Sequence, residues 1–160
     1  MKRKLFWILS CIFTLSVFLT GCGPETNEAA TTQAEESEKE GDITMKMHVQ
    51  IGDKIFTATL ENNAAVDAFI EMMGTEPVVI QMHDYAGFEK VGPLGASLPT
   101  SDVHTTTQAG DIVLYNGNQI VIFYGPNSWS YTRLGKIDDL SGWEEALGSG
   151  DVTVTFSIGE

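Results

Sequence analysis

Residues 110–125 read GDIVLYNGNQIVIFYG, that is Gly110-Asp111-Ile112-Val113-Leu114-Tyr115, then Asn116-Gly117-Asn118, then Gln119-Ile120-Val121-Ile122-Phe123-Tyr124-Gly125. Both apolar runs are rich in β-branched and aromatic side chains, which suit a pleated, half-buried surface. Asn-Gly between two such runs is the strongest short-range signal for a tight turn, because both residues tolerate positive φ. The stretch therefore predicts a β-hairpin. Its surroundings decide whether the hairpin is only structural or also the rim of a binding site.

On the C-terminal side, a further strand is expected over about 128–134. Ser141 then reads as the cap of a short helix, SGWEEAL, closed by Gly148. The last strand, Asp151–Ile158, alternates Val152, Val154, Phe156 and Ile158 with Thr153, Thr155 and Ser157.

On the N-terminal side, Met45, Met47, Val49 and Ile51 alternate with polar residues. Gly52-Asp53 turns the chain into Lys54–Leu60, where Phe56, Ala58 and Leu60 alternate with threonines. Asn62-Asn63 reads as a helix N-cap. Val66, Phe69, Ile70 and Met73 follow at i, i+3, i+4 and i+7, one helical stripe, and Gly74 stands where a C-terminal cap belongs. Pro77–Met82 is a short apolar strand. The segment from His83 to Gly110, rich in Gly, Pro, Ser and Thr, reads as one long loop, and loops of that length tend to be functional or partly ordered.

The order ββ, helix, β, long loop, three β, helix, β predicts a mainly β fold: a closed antiparallel barrel with two capping helices. It occupies residues 43–160 as a single domain without internal repeats. Its 118 residues are enough for one hydrophobic core.

Residues 1–42 read differently. Lys2, Arg3 and Lys4 precede an apolar run from Leu5 to about Leu19, too short for a bilayer-spanning helix and shaped like a secretory h-region. The run ends in Leu19-Thr20-Gly21-Cys22, which resembles the lipobox of bacterial lipoproteins. That resemblance implies a signal peptide over 1–21 and acylation of Cys22, which becomes the new N-terminus. It also implies a chain lipid-anchored at the cell membrane on its extracytoplasmic face. Acyl chains contribute about 0.8 kcal/mol per buried CH₂, so two or more anchor durably. Residues 23–42, GPETNEAATTQAEESEKEGD, carry seven acids, one lysine and no large apolar side chain. Nothing there can bury, which predicts an unfolded acidic tether with a coil span of roughly 25 Å.

Composition then excludes several chemistries. Cys11 lies in the h-region and Cys22 is the lipid site, so residues 43–160 contain no cysteine. Disulfides, zinc thiolates and cysteine nucleophiles are ruled out there. Nine basic residues less the three of the signal leave six against 22 acids, a net charge of −16 after processing. Such a surface repels nucleic acid, and no basic patch offsets it.

The element order resembles the cyclophilin fold, and three stretches carry the likeness. NGNQIVI at 116–122 is similar to the cyclophilin signature Asn-Gly-Ser-Gln-Phe-Phe-Ile, whose Gln and second Phe line the proline pocket. RLGKIDD at 133–139 is similar to the Phe-Gly-Lys-Val run before the last helix. GDIVLYNGNQIVIFYG with YTRLGKI at 131–137 resembles a bacterial family of small cyclophilin-like domain proteins more closely.

The resemblance implies a groove on the barrel face. By position it brings in Gln119 for the signature Gln, Val121 for the second Phe, and Phe88 for a later pocket Phe. The isomerases' Phe-His-Arg run falls on Met82-His83-Asp84, so an aspartate stands where the catalytic arginine would be; Tyr85 follows it. Rotating an Xaa-Pro bond costs about 18–20 kcal/mol, and a carboxylate would repel the carbonyl oxygen that the isomerase must hold.

No catalytic residue is therefore assigned, and Asp84, Tyr85, Phe88, Gln119 and Val121 are expected to bind a peptide or small ligand. A weak prolyl isomerase is the alternative, and a purely structural role a third. His83, Asp84, Asp102 and His104 match no metal-ligand spacing, so no metal or other cofactor is expected. Alternation puts Trp129, Tyr131 and Arg133 on one face, an aromatic-cation patch if that face is outward. Asp138, Asp139, Glu144 and Glu145 read as a solvated face, and the chain as a monomer.

Overall fold

A computed structural model describes residues 44–159; the expected signal peptide, Cys22 and the acidic segment lie outside the described residues. Nine strands and two helices follow in the order β1 (Lys46–Ile51), β2 (Lys54–Leu60), α1 (Ala64–Met73), β3 (Val78–Tyr85), β4 (Glu89–Pro93), β5 (Val103–Thr107), β6 (Asp111–Tyr115), β7 (Gln119–Phe123), β8 (Asn127–Ile137), α2 (Trp143–Leu147) and β9 (Val152–Ile158).

All strand pairings are antiparallel, in the order β2-β1-β9-β3-β4-β7-β6-β8-β5. The ring closes where β2 pairs with the end of β8, through Ala58↔Ile137 and Leu60↔Gly135. Eight strands thus form the barrel, and β5 adds a ribbon along the first half of β8. The closure explains a glycine in the RLGKIDD stretch. A Cβ on Gly135 would stand 2.5 Å from the Thr59 carbonyl oxygen, so only glycine lets these backbones meet.

The interior follows from period-2 alternation. Met47, Val49, Phe56, Ala58, Ile80, Met82, Ile112, Leu114, Ile120, Ile122, Val154 and Phe156 all point inward and are buried in one cluster. Asn63 caps α1 by accepting from the Ala65 and Val66 amides, and Phe69 meets Phe156 edge-on at 5.6 Å. Trp143 of α2 does the same with Phe56 at 4.9 Å, and its indole N–H donates to the Phe123 carbonyl at 2.8 Å. That bond ties α2 to the end of the hairpin.

The hairpin is β6–β7. Asn116 and Gly117 have φ of 51° and 74°, and the Asn118 amide donates back to the Tyr115 carbonyl, as a primed turn requires.

Three local expectations are corrected. The 83–110 segment is not one loop: it carries the end of β3, all of β4 and all of β5. The cap of α2 is Gly142 in the left-handed region, not Ser141, whose amide instead donates to Asp139. Gly74 ends α1 in an ordinary right-handed conformation, so no left-handed cap is formed.

Candidate ligand-binding groove

Alternation along β4, β6, β7 and β8 produces a second apolar surface, on the outside of the barrel. Val113, Val121, Phe123 and Tyr131 are buried there in a cluster separate from the interior, with Phe88, Val91 and Tyr115 packed against it. Register explains the grouping. Val91 pairs with Val121, Val121 with Val113, and Gln119 with Tyr115, so these side chains share one face.

Above this floor is an open groove of about 600 Å³, within the range of small-molecule sites. Tyr85, Ala86 and Phe88 form one wall at the β3–β4 turn, where Ala86 and Gly87 both have positive φ. Gln119 and Tyr115 stand beside the hairpin turn. Asn127, Trp129 and Tyr131 of β8 form the opposite wall. That wall is held by β5: Thr107 is fully buried, its hydroxyl donates to the Asn127 carbonyl, and it accepts from the Asn127 amide. The Asn127 side chain then donates to the Tyr131 hydroxyl at 2.8 Å. Tyr131 packs edge-on against Tyr115 and Phe123, at 6.1 and 5.6 Å.

The one charged side chain of the groove among the described residues is Glu89. It is 6 % exposed, and its Oε2 has no hydrogen-bond partner. Burial pushes its carboxyl up from an ordinary 4.5 to about 7, with the Asn127 amide pulling partly the other way. Burial also raises the Tyr131 phenol, and the Glu89 charge adds to it.

The expected site residues divide. Tyr85, Phe88, Gln119 and Val121 come together in this groove. Asp84 does not join them. It is one residue out of phase on β3, and its carboxylate faces away, accepting from Lys90 at 2.7 Å and from the Tyr124 hydroxyl. Those hydrogen bonds, that to Lys90 first, hold its carboxyl below the usual range. The strand register pairs Asp84 with Lys90 and Tyr85 with Glu89, one pair on each face. A carboxyl group does face the groove, but it is Glu89.

Neither nearby cation reaches the groove. Lys90 is fully buried and donates to Asp84 and to the Gly148 and Gly150 carbonyls at 2.8 and 2.7 Å, with its ammonium 5.4 Å from the Tyr124 ring centre. Arg133 is held by Asp111 at 3.1 Å and Glu61 at 3.5 Å. The Trp129–Tyr131–Arg133 face is thus split: two aromatic rings line the groove, and the arginine is tied into ion pairs outside it. His83 lies 2.8 Å from Asp151, and Asp102 accepts from Thr132. No three metal-ligating side chains converge among the described residues.

Sequence reasoning missed Glu89, Val91, Tyr115 and Asn127; Trp129 and Tyr131 it offered only as part of an outward patch with Arg133. The signal for Glu89 was period-2 alternation across Glu89, Val91 and Pro93, hidden because that stretch reads as loop.

Comparison with known proteins agrees with this architecture. A model of the cyclophilin-like family matches residues 49–157. The chain belongs to the cyclophilin-like family. The solution structure of a hypothetical protein from Archaeoglobus fulgidus shares the fold, with a TM-score of 0.56 at 13% identity, over 76% of this chain and 99% of that one. A search of curated protein sequences returns no match.

Proposed function

We propose that this cyclophilin-like domain is a binding module that holds a peptide or small ligand in the outer groove without catalysing its isomerisation. The observation that carries the reading is the composition of the groove: aromatic walls, Gln119 at the rim, a buried carboxyl on the floor and no cation. Prolyl isomerisation needs a positive or donor group at the twisted carbonyl. The two nearest cations are committed elsewhere, Lys90 by three acceptors and Arg133 by two carboxylates. Gln119 remains as a neutral donor, and on its own it supports grip rather than turnover.

The test is exchange NMR of Xaa-Pro peptides with residues 43–160, which reads binding and turnover together. The described residues close the barrel and hold one interior core, so this fragment contains the folding unit. Shifts confined to Tyr85, Gln119 and Tyr131 without faster exchange support a binding module. Accelerated exchange that Gln119→Ala abolishes would make the protein a weak isomerase and overturn the reading.

The same reading sets the domain at the extracytoplasmic face of the cell membrane, lipid-anchored through Cys22 and carried on the acidic 23–42 segment as a monomer. It rests on the Leu19-Thr20-Gly21-Cys22 motif. No described helix is long and apolar enough to cross a membrane. Cys22→Ser should abolish labelling by a fatty-acid analogue and move the protein out of the membrane fraction; retention of both would remove the anchor.

A further inference from the structure

Resting on the groove as a ligand site, we propose that the group it recognises is a primary ammonium, carried by a small organic amine, with Glu89 as counter-ion and the rings of Tyr85, Tyr115, Trp129 and Tyr131 around it. Four observations converge. Glu89 is more than nine-tenths buried and lines the groove, and its Oε2 lacks any hydrogen-bond partner. Buried acceptors in folded proteins are nearly always paired, so the missing donor is one that a ligand would supply. Among the described residues no cation lines the groove, and the neighbouring Lys90 and Arg133 are held by other partners.

The walls are the second observation. Four aromatic side chains other than Phe88 line one groove, and Tyr85 and Trp129 are 61% and 57% exposed. Large exposed rings next to a buried carboxyl attract cations through the negative faces of the π-systems and repel anions. The third is charge: residues 43–160 carry five Lys and Arg against 15 Asp and Glu, a net charge of −10 that raises the local concentration of cations around the domain.

The fourth is the donor count. A single buried orphan oxygen asks for one N–H donor, which a primary ammonium has and a quaternary ammonium lacks. A metal ion fits poorly, because hard cations take six or more oxygen ligands and phenol, indole and amide groups surround this carboxyl. The open volume of about 600 Å³ accommodates an amine with an alkyl or aryl body lying on Val91 and Val121.

The test uses isotope-labelled residues 43–160 at pH 8 and three probes: n-pentylammonium, the neutral 1-pentanol, and tetramethylammonium. The expected result is that n-pentylammonium shifts Glu89, Tyr115, Gln119 and the Trp129 indole. It should bind about tenfold or more tightly than 1-pentanol and more tightly than tetramethylammonium. Glu89→Gln should reduce the amine to the alcohol's affinity while the spectrum of the free protein stays folded. Equal affinity for amine and alcohol, or an amine affinity unchanged in Glu89→Gln, overturns the proposal. If 1-pentanol or an Xaa-Pro peptide occupies the groove and the amine does not, the groove stands and its ammonium specificity falls. If no probe perturbs the groove at about 10 mM, weaker than millimolar binding, both readings fall.

Discussion

Replacing Glu89 with glutamine should make the protein more stable, and increasingly so as pH rises. Glu89 has its carboxyl raised from 4.5 to about 7 by burial, so the folded state binds a proton that the unfolded state releases above about pH 4.5. Stability linked to this group is therefore fully present below pH 4.5 and lost as pH climbs through 7. The interval corresponds to about 3 kcal/mol at most. The groove is open to water, which screens part of this, so roughly 1–3 kcal/mol is the expected range. Glutamine keeps the shape of the neutral acid and never ionises.

Urea unfolding of both proteins at pH 4, 5, 6, 7 and 8 reads the effect as the difference between their stabilities. That difference should be near its baseline at pH 4, grow between 5 and 7, and level off by 8. Taking the difference cancels the other titrating groups. A difference that stays flat across the range would refute the burial of this carboxyl. A variant that loses ground as pH rises would show that the ionised form has a partner.

Lys90→Ala should cost about 3–5 kcal/mol, since it leaves Asp84 and the Gly148 and Gly150 carbonyls without their shared donor; a thermal melt checks it, and a loss under about 1 kcal/mol would contradict the buried pairing. Gly135→Ala should cost about 2–3 kcal/mol by forcing apart the β2–β8 closure, whereas Gly150→Ala, with open space around it, should be close to neutral in the same urea assay. Asp84, Asp138 and Asp139 have lowered carboxyl values, so the stability they lend is present above about pH 4 and is lost as pH falls below it. Together with the opposite slope of Glu89, stability should peak at about pH 4.5, and a maximum above pH 7 would contradict these assignments.

Much of the barrel was legible because its strands alternate cleanly. Met47–Val49–Ile51, Phe56–Ala58–Leu60 and Val154–Phe156 each announce one buried face. Asn63 and the Val66–Phe69–Met73 stripe announce α1. The hairpin was legible from Asn116-Gly117 between two β-branched runs.

What was not legible is β4 and β5. Glu89–Pro93 carries two charges, a Gly and a Pro where strands usually carry apolar side chains, and Val103–Thr107 is polar after its first residue. Tertiary context overrides composition here. Gly92 must be small because a Cβ would meet Ile80 and the Gln81 carbonyl oxygen at 2.5 and 2.8 Å, and Lys90 is buried only because three acceptors converge on it. Two of those acceptors, Gly148 and Gly150, lie about 60 residues away in the sequence. The same blindness misassigned the acid of the groove. With 83–110 read as loop, no alternation separated Asp84 from Tyr85 or Lys90 from Glu89, and only the β3–β4 register shows which of each pair faces outward.

A buried carboxyl with one unpaired oxygen, on an aromatic outer face of the barrel, is the feature a ligand would engage. Carbon-detected NMR titration of the Glu89 side chain tests it most directly, without and with saturating n-pentylammonium. Tyr85, Tyr115 and Tyr131 share the groove, and Glu89 is its one carboxyl group. The account predicts a midpoint at about 7 in the free protein that moves down by one pH unit or more with the amine bound, about 1.4 kcal/mol of coupling. A midpoint near the ordinary 4.5 that the amine leaves in place would contradict it.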